Sequence, residues 1–377
     1  MNYFVFFFLD LSRKSVWHMQ HQLLFILKIV FSFFNGVTLI LFVLLLANSS
    51  YGQYTSKELN PYHKAYHDSL QRREYPYTFP ILAKQAYKKG FDIPFTYGLS
   101  TAYYTQVQDV NIKRTLIGFN DSDPVDLSGF IKFGTIEART EAVTFRPDMW
   151  VLPFLNVYGI FGVGSSSTAV PLVRPVDFST TQHFNVTSMG FGFTVAGGFG
   201  PLFFVVDNNF NYGDIDALVE PVPAHNLDIR LGHNFVNPQR ADRGLAVWFG
   251  AFRQNIKGDT SGSIKIKDLF PNGAEGLQEG FINRLEEWAD GLPLTQQIIA
   301  NQIINRIDDH LSGVDVGDAN ITYTLDKELA KPWNLIFGAQ YQHNKHWQLR
   351  TELGTFGKRT SFLIMVNYRF ESLFKKK

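Results

Sequence analysis

Charged and amide side chains recur at every second position in several segments of this sequence. Asp228 and Arg230 stand two residues apart, and so do Arg350 and Glu352. Because side chains alternate between the two faces of a β-strand, this spacing places each set on one face. A face of mixed charge can line a selective pore, or it can lock a lumen through ion pairs. The complete set is Glu137, Arg139, Glu141, Asp207, Asp228, Arg230, Arg350, Glu352, Asn367 and Arg369.

The sequence contains no recognisable catalytic constellation. Residues 164–167 read Gly-Ser-Ser-Ser and lack the G-x-S-x-G frame of a nucleophile elbow. His63 and His67 have the spacing of helical metal ligands, but two histidines alone are a weak signal. The chain has no cysteine, which excludes thiolate catalysis and cysteine-based metal sites. We therefore predict no catalytic residue, no cofactor and no metal, although His183 and His225 leave a hydrolase as an alternative.

Composition favours a chain whose apolar residues alternate with polar ones. Its 377 residues carry a net charge of +1, and there is no long basic block that could neutralise phosphates. Nucleic acid is therefore excluded as a partner. Aromatic residues make up 15% of the chain although the mean hydropathy is only −0.07, so apolar side chains are interspersed with polar ones.

From Ile93 onward, alternation with period two replaces the helical period. Ten segments show it, and each is about as long as the ~9–11 residues that a tilted membrane-spanning strand needs. An even number suits a bacterial barrel, with eight or twelve strands as the alternatives. The predicted strands are 95–107, 133–145, 154–164, 184–198, 201–211, 225–236, 244–257, 333–343, 346–354 and 359–370.

The predicted connections alternate between short and long. The short ones are 146–153, 197–200, 237–243 and 344–345, and the long ones are 108–132, 165–183, 212–224 and 258–332. Transmembrane barrels have short periplasmic turns and long external loops, so this asymmetry predicts such a barrel with both termini at the short-turn side. The predicted fold class is all-β: a transmembrane antiparallel β-barrel of about ten strands, with a small helical insertion in an external loop.

The alternating charges are predicted to face the interior of this barrel. An Arg or Lys facing lipid costs ~2–4 kcal/mol near the midplane, so inward placement is strongly favoured. Ten strands enclose a narrow interior, which leaves open whether it conducts or is closed by its own side chains. Aromatic residues expected near strand ends or on the lipid face, as interfacial girdles, are Trp150, Phe154, Tyr158, Trp333, Tyr341, Trp347 and Tyr368.

Two segments outside the ten predicted strands contain helical patterns. Residues 53–92 are a polar lead-in on the periplasmic side, with a short helix predicted at 81–89 that ends at Gly90. Residues 271–331 contain two amphipathic helical patterns, which predict a self-packed cap, a partner-binding surface or a gate. The predicted organisation is an N-terminal extension with signal peptide at 1–52, the lead-in at 53–92, the barrel at 93–370 and a tail at 371–377.

The signal-like segment 23–52, the alternating strands and the closing residues Val366–Phe370 resemble a Gram-negative outer-membrane β-barrel protein. A last strand that ends in an aromatic residue resembles the signal that the barrel-assembly machinery reads in this class, although here residues 371–377 follow it. The Phe- and Tyr-rich style is similar to that of Bacteroidetes proteins. The resemblance implies an outer-membrane location, contact with outer-membrane lipid and the barrel-assembly machinery as a partner. It implies no substrate.

Three functional hypotheses follow from these patterns. The first is a narrow channel or transport protein with a mixed-charge lumen, which the inward charges favour. The second is a non-conducting surface or structural barrel that binds an external partner through residues 271–331. The third is a rim-located lipid or peptide hydrolase that uses His183 or His225.

Overall fold

The computed structural model describes residues 61–371 with gaps. The gaps are 120–123, 130, 175–177, 217, 257–258, 266–282, 284–285, 292–293, 295–296, 299, 303 and 306–319. The predicted signal peptide, residues 372–377 and much of the predicted helical insertion lie outside the described residues. Within the described ranges, no helix is both long enough and apolar enough to cross a membrane.

In the described chain, two helices precede a series of fourteen strands. Ten of the strands correspond to the predicted segments, and several extend further. The helices are α1 (Pro61–Arg72) and α2 (Ala83–Lys88). The strands are β1 (Tyr97–Phe119), β2 (Val125–Asp126), β3 (Lys132–Phe133), β4 (Ile136–Leu152), β5 (Leu155–Arg174), β6 (Phe178–Phe199), β7 (Leu202–Ile215), β8 (Val222–Asn237), β9 (Arg240–Ile256), β10 (Asp259–Lys265), β11 (Asn320–Leu329), β12 (Trp333–Gln342), β13 (Trp347–Thr355) and β14 (Arg359–Phe370).

Ten of these strands close into an antiparallel barrel. Strands β4 to β9 pair in chain order, β9 pairs with β12, and β12 to β14 continue the ring. The ring is completed by β1, which pairs with β14 from Tyr97 to Gln108 and with β4 from Tyr97 to Val110. Closure pairs both edges of every strand in the ring, so the backbone polar groups are satisfied within the sheet. The predicted ten-stranded antiparallel β-barrel is confirmed.

The two ends of the barrel differ in the length of their links. At the short-turn end the links are 153–154, 200–201, 238–239 and 343–346, and the paired residues Tyr97 and Phe370 lie there as well. The links at the opposite, long-link end are 120–135, 175–177, 216–221, 257–332 and 356–358, so the two long links are both at this end. The long connection predicted at 165–183 is wrong in extent, because β5 continues to Arg174 and β6 begins at Phe178. This Ser- and Thr-rich stretch keeps the strand pairing despite its polar composition.

The sheet continues beyond the ring of ten at the long-link end. The far part of β1 pairs with β11, from Val110 opposite Leu329 to Phe119 opposite Ile321, and β11 pairs with β10. The antiparallel strands β10 and β11 therefore extend the sheet past the ring. In the insertion, residues 286–290, 297–298 and 300–302 are helical.

Residues 61–96 form a small helical cap at the short-turn end. The helix predicted at 81–89 is α2, and the turn that follows it uses Gly90 with a φ of +79°, a conformation that glycine adopts without strain. The lead-in is therefore a folded element at the barrel rim. The buried core of the cap consists of Leu70, Ala83, Tyr87 and Ile93.

A buried ion pair anchors the helical cap to the barrel. Lys345 Nζ, in the link between β12 and β13, lies 2.5 Å from Asp92 Oδ1, and only 4% of the Asp92 side chain is exposed. Tyr66 on α1 donates a 2.7 Å hydrogen bond to the other oxygen of Asp92. Burial and the neighbouring carboxylate raise the pKa of Tyr66, so the phenol stays protonated as the donor. On the other side of the mouth, the amide of Ile81 donates to the carbonyl of Val151 at 2.8 Å.

We expect Asp92→Asn to release the helical cap while the barrel stays intact. The substitution leaves the Lys345 ammonium without its carboxylate in a largely buried position, and loss of one partner of a buried pair costs ~3–5 kcal/mol. Trypsin should then cut at Lys84, Lys88 or Lys89 about tenfold faster than in the wild type, as followed by mass spectrometry. Glu74→Gln, at an exposed position of the same cap, is the matched control. An unchanged cleavage rate in Asp92→Asn would show that the ion pair does not hold the cap.

Candidate functional site

The outer surface of the barrel is apolar on each of its ten strands. Phe161 is 49% exposed and Leu231 is 51% exposed, although both lie in the middle of strands. A contiguous apolar band that encircles a closed barrel is the exterior that lipid requires. One member from each strand, in ring order from β1, is Leu99, Val143, Phe161, Phe191, Leu202, Leu231, Phe249, Phe337, Leu349 and Val366.

Inside the barrel, Glu352 on β13 accepts hydrogen bonds from three side chains. Its Oε2 receives Arg230 Nε, Arg350 Nη2 and Trp248 Nε1, each at 2.9 Å. Arg230 on β8 also pairs with Asp228 on the same strand. Strands β8 and β13 are separated by two strands in the ring, so the Arg230–Glu352 contact crosses part of the lumen in front of β9 and β12. We call these five residues the central network.

A second cluster surrounds Asp207 on β7. Tyr158 and Thr194 each donate a 2.5 Å hydrogen bond to it, one to each carboxylate oxygen. Arg146 on β4 is more distant, with Nη2 3.7 Å from Asp207, and its guanidinium lies 3.4 Å from the centroid of the Tyr158 ring. The negative charge of Asp207 is therefore stabilised chiefly by two short hydroxyl contacts.

A third cluster lies near the short-turn end. Arg369 Nη2 on β14 is 2.8 Å from Asp148 Oδ1 on β4, and Asn156 donates a 2.6 Å hydrogen bond to the same oxygen. Gly98 on β1 lies between the two strands. A Cβ atom at Gly98 would lie 2.2 Å from Asp148 Oδ2, so the absence of a side chain there makes room for the ion pair.

Toward the long-link end, Arg359 is a buried arginine surrounded by amides. It donates to Asn334 and, at 3.2 Å, to Gln254, and its guanidinium lies 4.1 Å from the Phe252 ring. No carboxylate within the described ranges forms an ion pair with it. Gln108, its cross-strand neighbour on β1, is 2% exposed. This part of the lumen is polar, with one positive charge.

The structure places most of the predicted lumen residues inside the barrel. Asn367, for example, is 4% exposed and donates a 2.6 Å hydrogen bond to Ser100 on β1. The inward-facing members of the predicted set are Asp207, Asp228, Arg230, Arg350, Glu352, Asn367 and Arg369.

The prediction for β4 is corrected, because Glu137, Arg139 and Glu141 lie on its outer face. They share that face with Val143 and Phe145, which are 48% and 45% exposed in the apolar band. Glu137 and Arg139 form a solvated pair at 3.8 Å, with side chains that are 50% and 57% exposed. The strand runs beyond the apolar band toward the long-link end, where an outward charge meets water and escapes the cost of facing lipid.

Sequence reasoning missed several side chains that enter the lumen, among them four on β4 and β5. The predicted strand ends at residue 145, before Arg146 and Asp148, and Trp150 and Tyr158 are assigned to an interfacial girdle. Trp150 and Tyr158 are instead 6% and 5% exposed. Extending the outward alternation of Phe145 through residue 149 would have turned the even-numbered residues inward.

The two rim histidines do not assemble into a catalytic group. His225 stacks on Phe210 with ring centroids 4.7 Å apart, and its Nε2 lies 3.3 Å from Asn208 Oδ1. His183 on β6 is exposed. His183 lies opposite Ser167 in the β5–β6 pairing, but among the described residues no side-chain hydrogen bond joins either histidine to a serine or a carboxylate.

The three lumen clusters are balanced in charge. Four arginines face four carboxylates: Arg146, Arg230, Arg350 and Arg369 against Asp148, Asp207, Asp228 and Glu352. Between the central network and the short-turn end lies a cavity of about 140 Å³, which members of the other two clusters line. The chain is thus a β-barrel of the outer-membrane type, with a lumen constricted by ion pairs and a polar space on either side.

Comparison with known proteins yields structural likeness alone. No protein-family model matches the sequence, and no curated protein does. Solved structures similar to it include the β domain of the Bordetella autotransporter BrkA, at 7% identity and a TM-score of 0.35, covering 73% of this chain and 100% of that one. The translocator domain of the autotransporter NalP from Neisseria meningitidis gives 12% identity and a TM-score of 0.31, covering 81% and 97%. An outer membrane channel from Pseudomonas putida F1 gives 9% identity and a TM-score of 0.28, covering 74% and 97%.

We expect Glu352→Gln to destabilise the barrel strongly. The amide keeps an acceptor for Trp248 but leaves Arg230 and Arg350 to share Asp228, and an unpaired buried charge costs ~3–5 kcal/mol. The free energy of unfolding in lipid vesicles should fall by about that amount. The same change at Glu141, on the outer face, should alter it by less than ~0.5 kcal/mol. Equal effects at the two positions would contradict the assigned role of Glu352.

Proposed function

We propose that this protein is an outer-membrane channel for small polar solutes in a Gram-negative bacterium, with the central network as its constriction. The observation that carries the proposal is the polar character of the lumen, from Arg369 near the short-turn end to Arg359 near the long-link end. A barrel with a purely structural role could fill its interior with apolar side chains at lower desolvation cost. Charged and amide groups along the whole height instead provide successive partners for a hydrated solute.

The constriction is held by ion pairs, and this favours small solutes. Arg230, Arg350 and Glu352 have side chains that are 8%, 15% and 11% exposed, so little space remains at this level. Passage requires these side chains to change rotamer, which permits a small conductance and excludes the large one of a wide porin.

A non-conducting barrel that binds a partner through the insertion is the second candidate. Leu294 and Ile298 in the helical part of the insertion are 79% and 61% exposed, which favours an apolar contact surface outside the barrel. Deletion of 275–313 distinguishes the two candidates, because the channel hypothesis expects conductance to persist without this segment.

The apolar band predicts that the protein fractionates with the outer membrane and contacts its lipid. Folded barrels of this kind migrate faster on a gel before heating than after it. We expect this heat-dependent shift in the outer-membrane fraction of cells that express the full chain. Recovery in the inner membrane or the cytosol would contradict the proposed location.

We expect the double variant Arg230→Ala, Glu352→Ala to widen the constriction. Removal of both partners leaves Asp228 and Arg350 to compensate each other and clears the contact that crosses the lumen. Single-channel conductance in planar bilayers should rise roughly threefold or more over the small wild-type value. The pair Glu137→Ala, Arg139→Ala, which removes an outward-facing ion pair of β4, should leave conductance unchanged. If neither the wild type nor the double variant conducts, the channel hypothesis is excluded.

A further inference from the structure

The cavity between the central network and the short-turn end has walls of two different kinds. Its lining extends from Pro94 of the helical cap to Arg146 and Asp207, and its volume is about 140 Å³. One wall is cationic and amide-rich, with Arg146 and Asn156. The opposite character comes from a buried apolar cluster whose large members are Trp150, Phe203 and Trp248. A molecule that fills this space meets both charged groups and aromatic surface.

Arg146 lines this cavity with most of its hydrogen-bonding capacity unused. Its side chain is 25% exposed, whereas those of Arg230 and Arg369 are 8% and 7% exposed. Its polar contacts with described residues use Nη2 alone, at 3.4 Å from Thr194 and 3.7 Å from Asp207. Both distances are long for a guanidinium, which forms charge-assisted hydrogen bonds at ~2.7–2.9 Å.

Asp207, the carboxylate nearest to Arg146, already accepts hydrogen bonds from two other side chains. Asp207 accepts the 2.5 Å hydrogen bonds of Tyr158 and Thr194, so it makes little demand on the guanidinium. The stack on Tyr158 holds the Arg146 plane in place. A pre-oriented fork with free N–H groups is suited to a carboxylate, which it can bind through two parallel hydrogen bonds.

The aromatic wall carries an unsatisfied donor as well. Trp150 is 6% exposed, and its Nε1 has no hydrogen-bond partner among the described residues. A buried donor without a partner destabilises the protein, and a polar ligand atom at this position can supply the missing acceptor.

We propose that this cavity binds a small organic carboxylate with a compact apolar body, held by Arg146 and packed on the aromatic wall. The volume fits the class, because a cavity of about 150 Å³ accommodates one benzene-sized molecule. The charged side chains that line the cavity also favour an anion, because five arginines stand against only two carboxylates, Asp148 and Asp207. The proposal rests on the proposed function where it takes the cavity as part of the solute path, but binding itself requires no conductance.

The test is calorimetric titration of the full-length refolded barrel in detergent with three probes. Benzoate carries both the ring and the charge, benzyl alcohol carries the ring alone, and acetate carries the charge alone. We expect benzoate to bind at least about tenfold more tightly than either of the others. Arg146→Gln should remove this advantage and leave the affinity for benzyl alcohol unchanged. Arg139→Gln, on the outer face of the same strand, is the matched control and should bind benzoate like the wild type.

Each outcome decides the proposal. Equal affinities of the wild type for benzoate and benzyl alcohol, or full benzoate binding by Arg146→Gln, would overturn it. If Arg146→Gln does not refold, Arg146→Lys replaces it, with a loss of benzoate affinity expected because the planar fork is absent. A barrel that conducts but does not bind benzoate contradicts this site alone. A barrel that binds benzoate but never conducts contradicts the proposed channel alone.

Discussion

The contact on which the rest of the lumen depends is the one between Glu352 and its three donors. A carboxylate that is almost fully removed from water must be compensated by several hydrogen bonds, and here they come from β8, β9 and β13. The same requirement fixes its neighbours, because Trp248 can reach Glu352 only where β12 has Gly338. A Cβ at Gly338 would lie 2.4 Å from the indole ring. One acceptor thus sets the packing of four neighbouring strands.

The outer face of the barrel also has to match two environments along each strand, lipid and water. Val143 and Phe145 face lipid, and Glu141 two residues away on the same outer face is charged. The outer face of β4 therefore changes its environment within a single strand, at the boundary of the apolar band. Strands longer than the ~9–11 residues needed to span the membrane make this change necessary. A charged residue on the outer face therefore shows that this part of the strand lies beyond the apolar band. It does not show that the side chain faces the lumen.

The character of the outer face changes along the barrel axis, and this explains which features could be predicted from the sequence. All ten ring strands were predictable, because period-two alternation is a local property of each segment. The inward face of β8, β13 and β14 was predictable too, since apolar residues fill their other face. On β4 both faces carry charge, so the parity of Glu137, Arg139 and Glu141 could be assigned only with knowledge of where the membrane ends. The inward position of Trp150 depends on packing with Phe203 and Trp248, and that of Tyr158 on its hydrogen bond to Asp207. These partners come from other strands, so no single segment encodes them.

Arg369 connects the helical cap, the short-turn end and the lumen. Its Nη2 belongs to the lumen through Asp148, its Nε donates a 3.1 Å hydrogen bond to the carbonyl of Phe95 in the helical cap, and its own carbonyl accepts one from His346 Nδ1 at 2.7 Å. The closing strand thereby joins cap, rim and interior through one residue. One guanidinium therefore bonds both to the cap, through Phe95, and to the lumen, through Asp148, although Phe95 and Arg369 lie 274 residues apart in the sequence.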